Sequence, residues 1–384
     1  MRKLLACMAA AGLILALSAP VSAEDRTLEE RVSALEQLFG TWSFYGSARV
    51  GTWYEDSNLG PDSDDAGTTF DLQGNSRIGA TVTKDKIGGA FEFGVDDDGR
   101  AVTTRLLYGT YDLGPAVVLF GQDYTPLGSM FYSNQVWGED YDLLGFGQIY
   151  GGRLTQVKLM MKNGLEVALV ENDSASILNA EGNSDEDVII PKIEVRYHIE
   201  QDAFFADLFG GFSTFEVEDA IVGGIENEDG EIVGGTNYGD ETVNAWALGV
   251  GGGLNLDPAY IKAQVYMARN AVNFGLSHID GDGAFFDDTG SLVDEDNLGF
   301  SVIVGTMIDK YTVEAGYGYV SSEPDASGFD KDTAMAYYAN VTIPVYDGFF
   351  FVPEVGFIDY ADGPDGSDED RDTTYFGAKW QIDF

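Results

Sequence analysis

Cysteine is nearly missing from this 384-residue chain: Cys7 stands alone, inside the first 23 residues. If those residues are removed, the rest can form no disulfide, no thiolate metal site and no cysteine nucleophile. Histidine is scarce too, with only His198 and His278. Lys and Arg total 21 against 65 Asp and Glu, a net charge of −44. Nucleic acid is therefore not an expected partner, since binding phosphates takes clustered cations. There are 10 prolines against 49 glycines, a balance that suits strands and turns. Beyond the N-terminal segment no run approaches the roughly 18 apolar residues of a membrane helix. Strong acidity can accompany disorder, yet this chain is 44% hydrophobic and 13% aromatic, which argues for a folded protein.

The first 23 residues read as a secretory signal peptide. Two cations precede an apolar stretch, and A-P-V-S-A ends at Ala23, where a signal peptidase would cut. A single-pass anchor is the rival reading, but the apolar part is short and no stop-transfer pattern follows. "LLAC" around Cys7 is a weak lipidation box whose apolar region would be almost absent.

Residues 24–40, "EDRTLEERVSALEQLFG", have a helical period. Leu28, Val32, Leu35 and Phe39 are spaced 4, 3 and 4, as in a coiled-coil seam, and Gly40 is a plausible cap. Two heptads are too short to be stable alone. The helix must pack on its own domain or join others in a small oligomeric coil.

From Trp42 the period becomes two. Trp42, Phe44, Gly46, Ala48 and Val50 share one face, while Ser43, Tyr45, Ser47 and Arg49 share the other. The same alternation recurs in "SRIGATV", "VKLMM", "KIEVRYH" and "KAQVYM". Short turns near 83–86, 112–115, 162–164, 200–202, 256–258, 308–310 and 346–348 alternate with longer acidic or glycine-rich connections. The longer ones fall near 55–73, 97–101, 123–152, 172–187, 217–242, 271–297, 322–332 and 362–372. Seven turns and eight long connections make sixteen strands. A soluble β-sandwich explains each strand, but not the two-sided loop asymmetry. An all-β, antiparallel transmembrane barrel over residues 41–384 does: its apolar face meets lipid and its charged face a wet lumen.

"FGAKWQIDF" at the C-terminus, "TRLLYGTYDLGPAVVLFGQDYTPLG" and the strand rhythm resemble bacterial outer-membrane porins of the trimeric, sixteen-stranded kind. The likeness spans nearly the whole chain after residue 23. It implies a passive, cofactor-free homotrimeric channel for small hydrophilic solutes and ions. A channel selective for organic acids or phosphate-like anions is the alternative. The resemblance also implies that Trp380, Ile382 and Phe384 carry the signal read by the outer-membrane assembly machinery. The helix at 24–40 resembles the short periplasmic bundle of some porins, which would supply partners for its seam.

A pore's selectivity is set by charge and width at its narrowest point. In the family the third long loop folds into the lumen; here that is about Asp123 to Gly152, with acids Asp123, Glu139, Asp140 and Asp142. Phe131, Tyr132, Trp137 and Tyr141 could pack it on the wall. Arg49, Arg77 and Arg105 share inward parity and would form the facing cationic wall. Lys158, Lys192, Arg196, Lys262 and Lys379 should also point into the lumen, offset by Glu92, Glu194, Glu314 and Glu354. Acidic outer loops draw cations to the mouth while the wall favours anions, and the sum leans to weak cation preference. "EDSNLGPDSDDAG" and "ADGPDGSDEDRD" could hold divalent cations, alone or bridging to lipopolysaccharide, although no full EF-hand loop occurs and no metal site is assigned. His198 has inward parity and His278 lies in a long loop, which argues against an enzyme.

Overall fold

The computed structural model describes residues 27–58, 64–95, 101–172, 186–188, 190–217, 221–226, 232–278, 281–287, 289–326, 328–329, 331–360 and 371–384. The signal-peptide reading of residues 1–23 lies outside them, as does most of the acidic runs near 59–63 and 361–370.

Helix α1 (Leu28–Phe39) precedes the sheet. Val32, Leu35 and Phe39 of the expected seam are exposed, as is Leu38. The helix meets its own barrel at its end, where Lys84 Nζ donates to the Leu38 carbonyl at 2.8 Å and Trp42 Nε1 to the Phe39 carbonyl at 3.0 Å. The described part of its apolar side, Val32, Leu35, Leu38 and Phe39, is open to solvent.

The strands are β1 (Thr41–Asn58), β2 (Asp64–Leu72), β3 (Arg77–Lys84), β4 (Ile87–Val95), β5 (Val102–Asp112), β6 (Ala116–Tyr124), β7 (Arg153–Met161) and β8 (Leu165–Val170). β9 (Glu186–Asp187), β10 (Lys192–Gln201), β11 (Phe204–Val217), β12 (Ile221–Glu226), β13 (Ile232–Asn237), β14 (Glu241–Asn255) and β15 (Ala259–Arg269) follow. The last are β16 (Phe285–Phe286), β17 (Leu292–Val293), β18 (Glu295–Ile308), β19 (Tyr311–Pro324), β20 (Asp332–Tyr346), β21 (Phe349–Tyr360) and β22 (Arg371–Asp383). β12 with β13 and β16 with β17 are small hairpins within connections. The others form one closed antiparallel barrel of sixteen strands, two of which are each broken into two pieces: β2 with β3, and β9 with β10.

The connection expected at 55–73 is mostly strand. β1 runs on to Asn58 and its upper half pairs with β2, Val50 opposite Leu72 and Asn58 opposite Asp64. Its lower half pairs with β3, Ser47 opposite Arg77. Between the pieces Gln73–Ser76 bulge out of register, so the Gln-Gly-Asn-Ser run there marks a break in a strand rather than a loop.

The alternation of the sequence sets the two faces. Phe44, Ile78, Leu107, Phe120, Val157, Val265, Val304 and Val355 are exposed on the outside. Ser47, Arg49, Glu92, Lys158, Glu194, Gln264 and Glu354 are buried on the inside. A soluble β-sandwich has the reverse polarity. Among the described residues no helix is long and apolar enough to cross a membrane.

β22 closes the circle on β1, with Ala48 opposite Ile382 and Tyr54 opposite Phe376. Phe384 completes the ladder by exchanging two backbone hydrogen bonds with Gly46, at 2.7 and 3.0 Å. Gly46 is the seat of the terminal ring: a Cβ there would stand 2.6 Å from Phe384 Cε2 and Cζ. Gly46→Val should push the ring off its seat. The expected outcome is a lower yield of folded barrel on refolding into detergent, measured by heat-modifiable mobility on gels, while Ala48→Val folds normally.

Candidate functional site

The connection after β6 does not stay at the rim. Residues 125–152 cross the inside of the barrel, and wall side chains on widely separated strands hold their backbone. Glu194 on β10 accepts from Leu127 N at 3.0 Å, and Glu314 on β19 from Asn134 N at 2.6 Å. Glu354 on β21 accepts from Val136 N and Trp137 N at 2.8 and 2.9 Å. Gln264 on β15 accepts from Ile149 N at 2.6 Å, and Asn340 on β20 donates to the Asn134 carbonyl at 2.6 Å. Opposite, the bulge between β2 and β3 grips the same segment. Gln73 donates to Val136 and Gly138 carbonyls, Gly74 N donates to Glu139 at 2.7 Å, and Asn75 donates to the Glu139 carbonyl.

The inserted chain is tightly turned. Asp140, Asp142 and Leu143 have φ of +61°, +55° and +59°, and a short helix, α2 (Trp137–Asp140), kinks at Gly138. Trp137 stacks on Tyr375 of the wall at 4.7 Å, and its Nε1 donates to Glu55 at 2.8 Å. Tyr132 is buried and donates to Asp207 at 2.5 Å. Phe131 and Tyr141 are partly exposed and border open space, Phe131 with one edge against Tyr124 of the wall.

That open space is a cavity of about 790 Å³ between the inserted chain and one side of the wall. Arg49, Arg77, Arg105, Arg153 and Lys379 line it with Glu139, Asp140 and Asp142. Asp140 is ion-paired with Arg49 and accepts from Lys379 Nζ at 2.7 Å. Glu92 lies 2.7 Å from Arg105 Nε and 3.8 Å from Arg77 Nη1. Burial, and next the nearby Asp140, hold the Asp142 carboxyl well above the usual carboxylate range. Tyr124 Oη takes hydrogen bonds from Arg105 and Arg153 at 3.2 and 3.3 Å. Phe131 stands between Tyr124 and Tyr150, with ring centroids 5.5 and 6.0 Å away.

This differs from a basic wall facing an acidic loop across a gap, because Asp140 is bound to the wall. Four further placements also differ from the sequence reading. Asp123 belongs to strand β6, not to the loop, and meets Lys158 Nζ at 2.7 Å. Lys158, expected in a wet lumen, is buried between Asp123 and the Tyr124 carbonyl. Lys192 and Glu194 are 0% exposed, 3.5 Å apart, under inserted chain. Glu314 and Glu354 are buried acceptors for the third connection, not carboxylates balancing charge in water. These side chains lie on the inside, and the inserted chain occupies the space that water was expected to fill. Of the others, Arg196 pairs with Asp207 at 2.7 Å and Lys262 donates to the Tyr132 carbonyl at 2.9 Å.

Sequence reading missed Arg153, Tyr124, Tyr150, Asn75 and Ser277 as neighbours of this cavity. Arg153 shares parity with Thr155 and Val157, which are exposed on the outer face. Gly152, at φ +81°, turns the chain just before it, so parity does not carry back to the first strand residue. Among the described residues no group of His, Cys, Asp and Glu could hold a metal ion.

No protein-family model matches the chain, and no curated protein does. Solved structures do. The outer membrane channel DcaP of Acinetobacter baumannii is similar with a TM-score of 0.68 at 15% identity, over 91% of this chain and 98% of that one. An anion-selective porin from Comamonas acidovorans is similar with a TM-score of 0.57 at 11% identity, over 90% and 99%. OmpT of Vibrio cholerae in its trimer form gives 0.56 at 19% identity, over 90% and 100%. At these identities the likeness shows the fold: this chain has the closed sixteen-stranded barrel of the outer-membrane porins.

Proposed function

We propose that the chain is a passive, water-filled channel of an outer membrane that passes small hydrophilic solutes and ions, constricted by residues 125–152. The outward apolar surface suits lipid, and closure leaves no unpaired edge there. One observation carries the reading: wall arginines and the inserted loop's acids border the same cavity. Charges fixed at a narrow aqueous passage orient dipolar solutes and penalise apolar ones. The channel needs no cofactor. It is not an enzyme in this reading: Ser322 meets His278 Nε2 at 3.1 Å, but Nδ1 faces the Tyr266 hydroxyl rather than a carboxylate, and both residues are buried.

The cavity lining favours anions over the weak cation preference expected from sequence. Five cations stand against three carboxylates there, and burial disfavours the ionised form of Asp142. The aromatic trio beside Arg105 and Arg153 supports the second reading, a channel with affinity for organic acids or phosphate-like anions. The exposed Val32, Leu35 and Phe39 support a homotrimer joined by a periplasmic coil over 24–40, after export by a signal peptide at 1–23. Outward Trp380, Ile382 and Phe384 suit recognition by the assembly machinery. Contact of the acidic outer loops with divalent cations and lipopolysaccharide belongs to the same proposal.

Reconstitution into planar bilayers tests the reading. In a salt gradient the expected result is ohmic conductance with a reversal potential of anion-preferring sign. Saturable block by an organic acid would select the second reading. Absence of any conductance would overturn both and leave a structural membrane protein.

A further inference from the structure

A second connection also enters the barrel. At the top of β15, Asn270 takes a left-handed turn at φ +54°. Its side chain holds that turn in place: Nδ2 donates to the Asn244 carbonyl at 3.0 Å and to Asp294 at 2.7 Å, and Oδ1 accepts from Glu295 N at 2.8 Å. The chain then makes one helical turn, α3 (Ala271–Phe274), and Ala271 N donates to Asn297 at 3.0 Å. Phe274 is fully buried against the inner wall. Gly211 leaves room for its ring, since a Cβ there would lie 2.5 Å from Phe274 Cζ.

This segment is tied to the third connection. Lys192 donates to the Phe274 carbonyl at 2.9 Å, and its ion-pair partner Glu194 accepts from Leu127 N. Ser277 N donates to the Tyr150 carbonyl at 3.2 Å, and His278 forms a parallel bridge with Gly145. The His278 ring is wedged between the Tyr266 and Ser322 hydroxyls at 2.9 and 3.1 Å. Burial pushes its imidazole down to about 4, so it is neutral at pH 7 and brings no charge into this apolar seam. Further along, Asp282 N donates to Glu295 at 3.1 Å and Ala284 N to Asn273 at 2.6 Å. Hydrogen bonds to wall groups fix Asn270 and Ala271 at one end and Asp282 at the other. Ser277 alone of its neighbours is exposed, and it borders the cavity shared by Arg49, Arg105 and Tyr150.

We propose that residues 270–278, at the start of the connection from β15 to β18, are a second constriction element, with Ser277 as its pore-facing, specificity-determining residue. It lies on the inner wall at β10, β11 and β14, against Lys192, Gly211 and Asn244. The proposal rests on the channel reading. It adds that solute size and charge preference are set by two inserted segments acting as one body, joined through Lys192–Glu194 and through Ser277–Tyr150.

Cys7 is the only cysteine, so one introduced thiol can be followed cleanly. Ser277→Cys, treated with a negatively charged methanethiosulfonate reagent, should lose about half or more of its single-channel conductance. Its reversal potential should move toward cations. Wild-type channel under the same reagent should not change, and neither should Lys310→Cys, in a turn at the opposite end of the barrel. Ser277→Asp should move the reversal potential the same way without reagent, and it replaces the cysteine variant if that one does not assemble. An unchanged Ser277→Cys or Ser277→Asp channel beside a responsive Tyr141→Cys channel would overturn the second constriction and leave the channel reading intact. A wild-type protein that never conducts overturns the channel reading, and this inference falls with it.

Discussion

Glu354→Ala is expected to widen the channel at least about twofold in conductance while the barrel stays folded. The carboxylate accepts from four donors: Val136 N, Trp137 N, Asn340 Nδ2 and Tyr375 Oη, at 2.8, 2.9, 2.8 and 3.2 Å. Truncation leaves each buried donor without its acceptor, a cost of roughly 1–3 kcal/mol apiece. The loop has an escape that the wall lacks. Val136 and Trp137 can leave and hydrogen-bond to water, giving up the stacking of Trp137 on Tyr375, worth about 0.5–1.5 kcal/mol. The β20–β21–β22 ladder does not pass through this side chain, so the melting temperature in detergent should shift by only a few degrees. Single-channel records should show a larger and noisier current, and liposome swelling should admit larger sugars. Glu354→Gln keeps an acceptor oxygen of the same reach and should lie between. Wild-type conductance and exclusion in Glu354→Ala would show that the carboxylate does not position the loop.

The barrel itself was open to reading because its signal is local. Alternation fixes the face of each residue, and a strand such as Val157–Met161 needs nothing distant to declare its outward side. Short turns such as Asp309–Lys310 and Asp347–Gly348 follow directly from the breaks in that alternation. What fills the inside is a matter of long-range packing. Lys192 and Glu194 lie inward, yet no local pattern announces that Phe274, 82 positions beyond Lys192, will lie over that lysine. The same holds for Glu314 and Glu354: an inward carboxylate is written identically whether it meets water or a loop amide. The connection expected at 55–73 has the composition of a loop, yet most of it is the end of β1 and strand β2. Phe70 and Leu72, both exposed and apolar, are the signal that could have corrected it. The sequence expects Asp140 on a loop facing the cationic wall; only the fold shows Arg49 and Lys379 bound to it.

That last contact decides which cations are worth removing together. Replacing Arg49 would disturb the position of the loop as well as the charge. Arg77, Arg105 and Arg153 do not pair with the third connection's acids in this way: Arg77 and Arg105 share Glu92, and Arg105 and Arg153 share the Tyr124 hydroxyl. Changing all three to alanine removes three positive charges and leaves Glu92 beside the Tyr45 hydroxyl at 2.9 Å, with no guanidinium. A unit charge about 8 Å from a permeating ion is worth about 0.5 kcal/mol even at the dielectric of water. Three of them change each ion's energy by about 1.5 kcal/mol, with opposite sign for anion and cation, so the ratio of anion to cation permeability moves on the order of a hundredfold before screening, and by less as salt screens them. The reversal potential in a shallow salt gradient should therefore change sign from anion- to cation-preferring, and the shift should shrink as total salt rises. Conductance itself should change far less than in Glu354→Ala, because the loop stays docked through Glu354, Glu314 and Asp140. A triple variant that keeps the wild-type reversal potential at low salt would place the selectivity outside this cavity, in the acidic loops at the mouth.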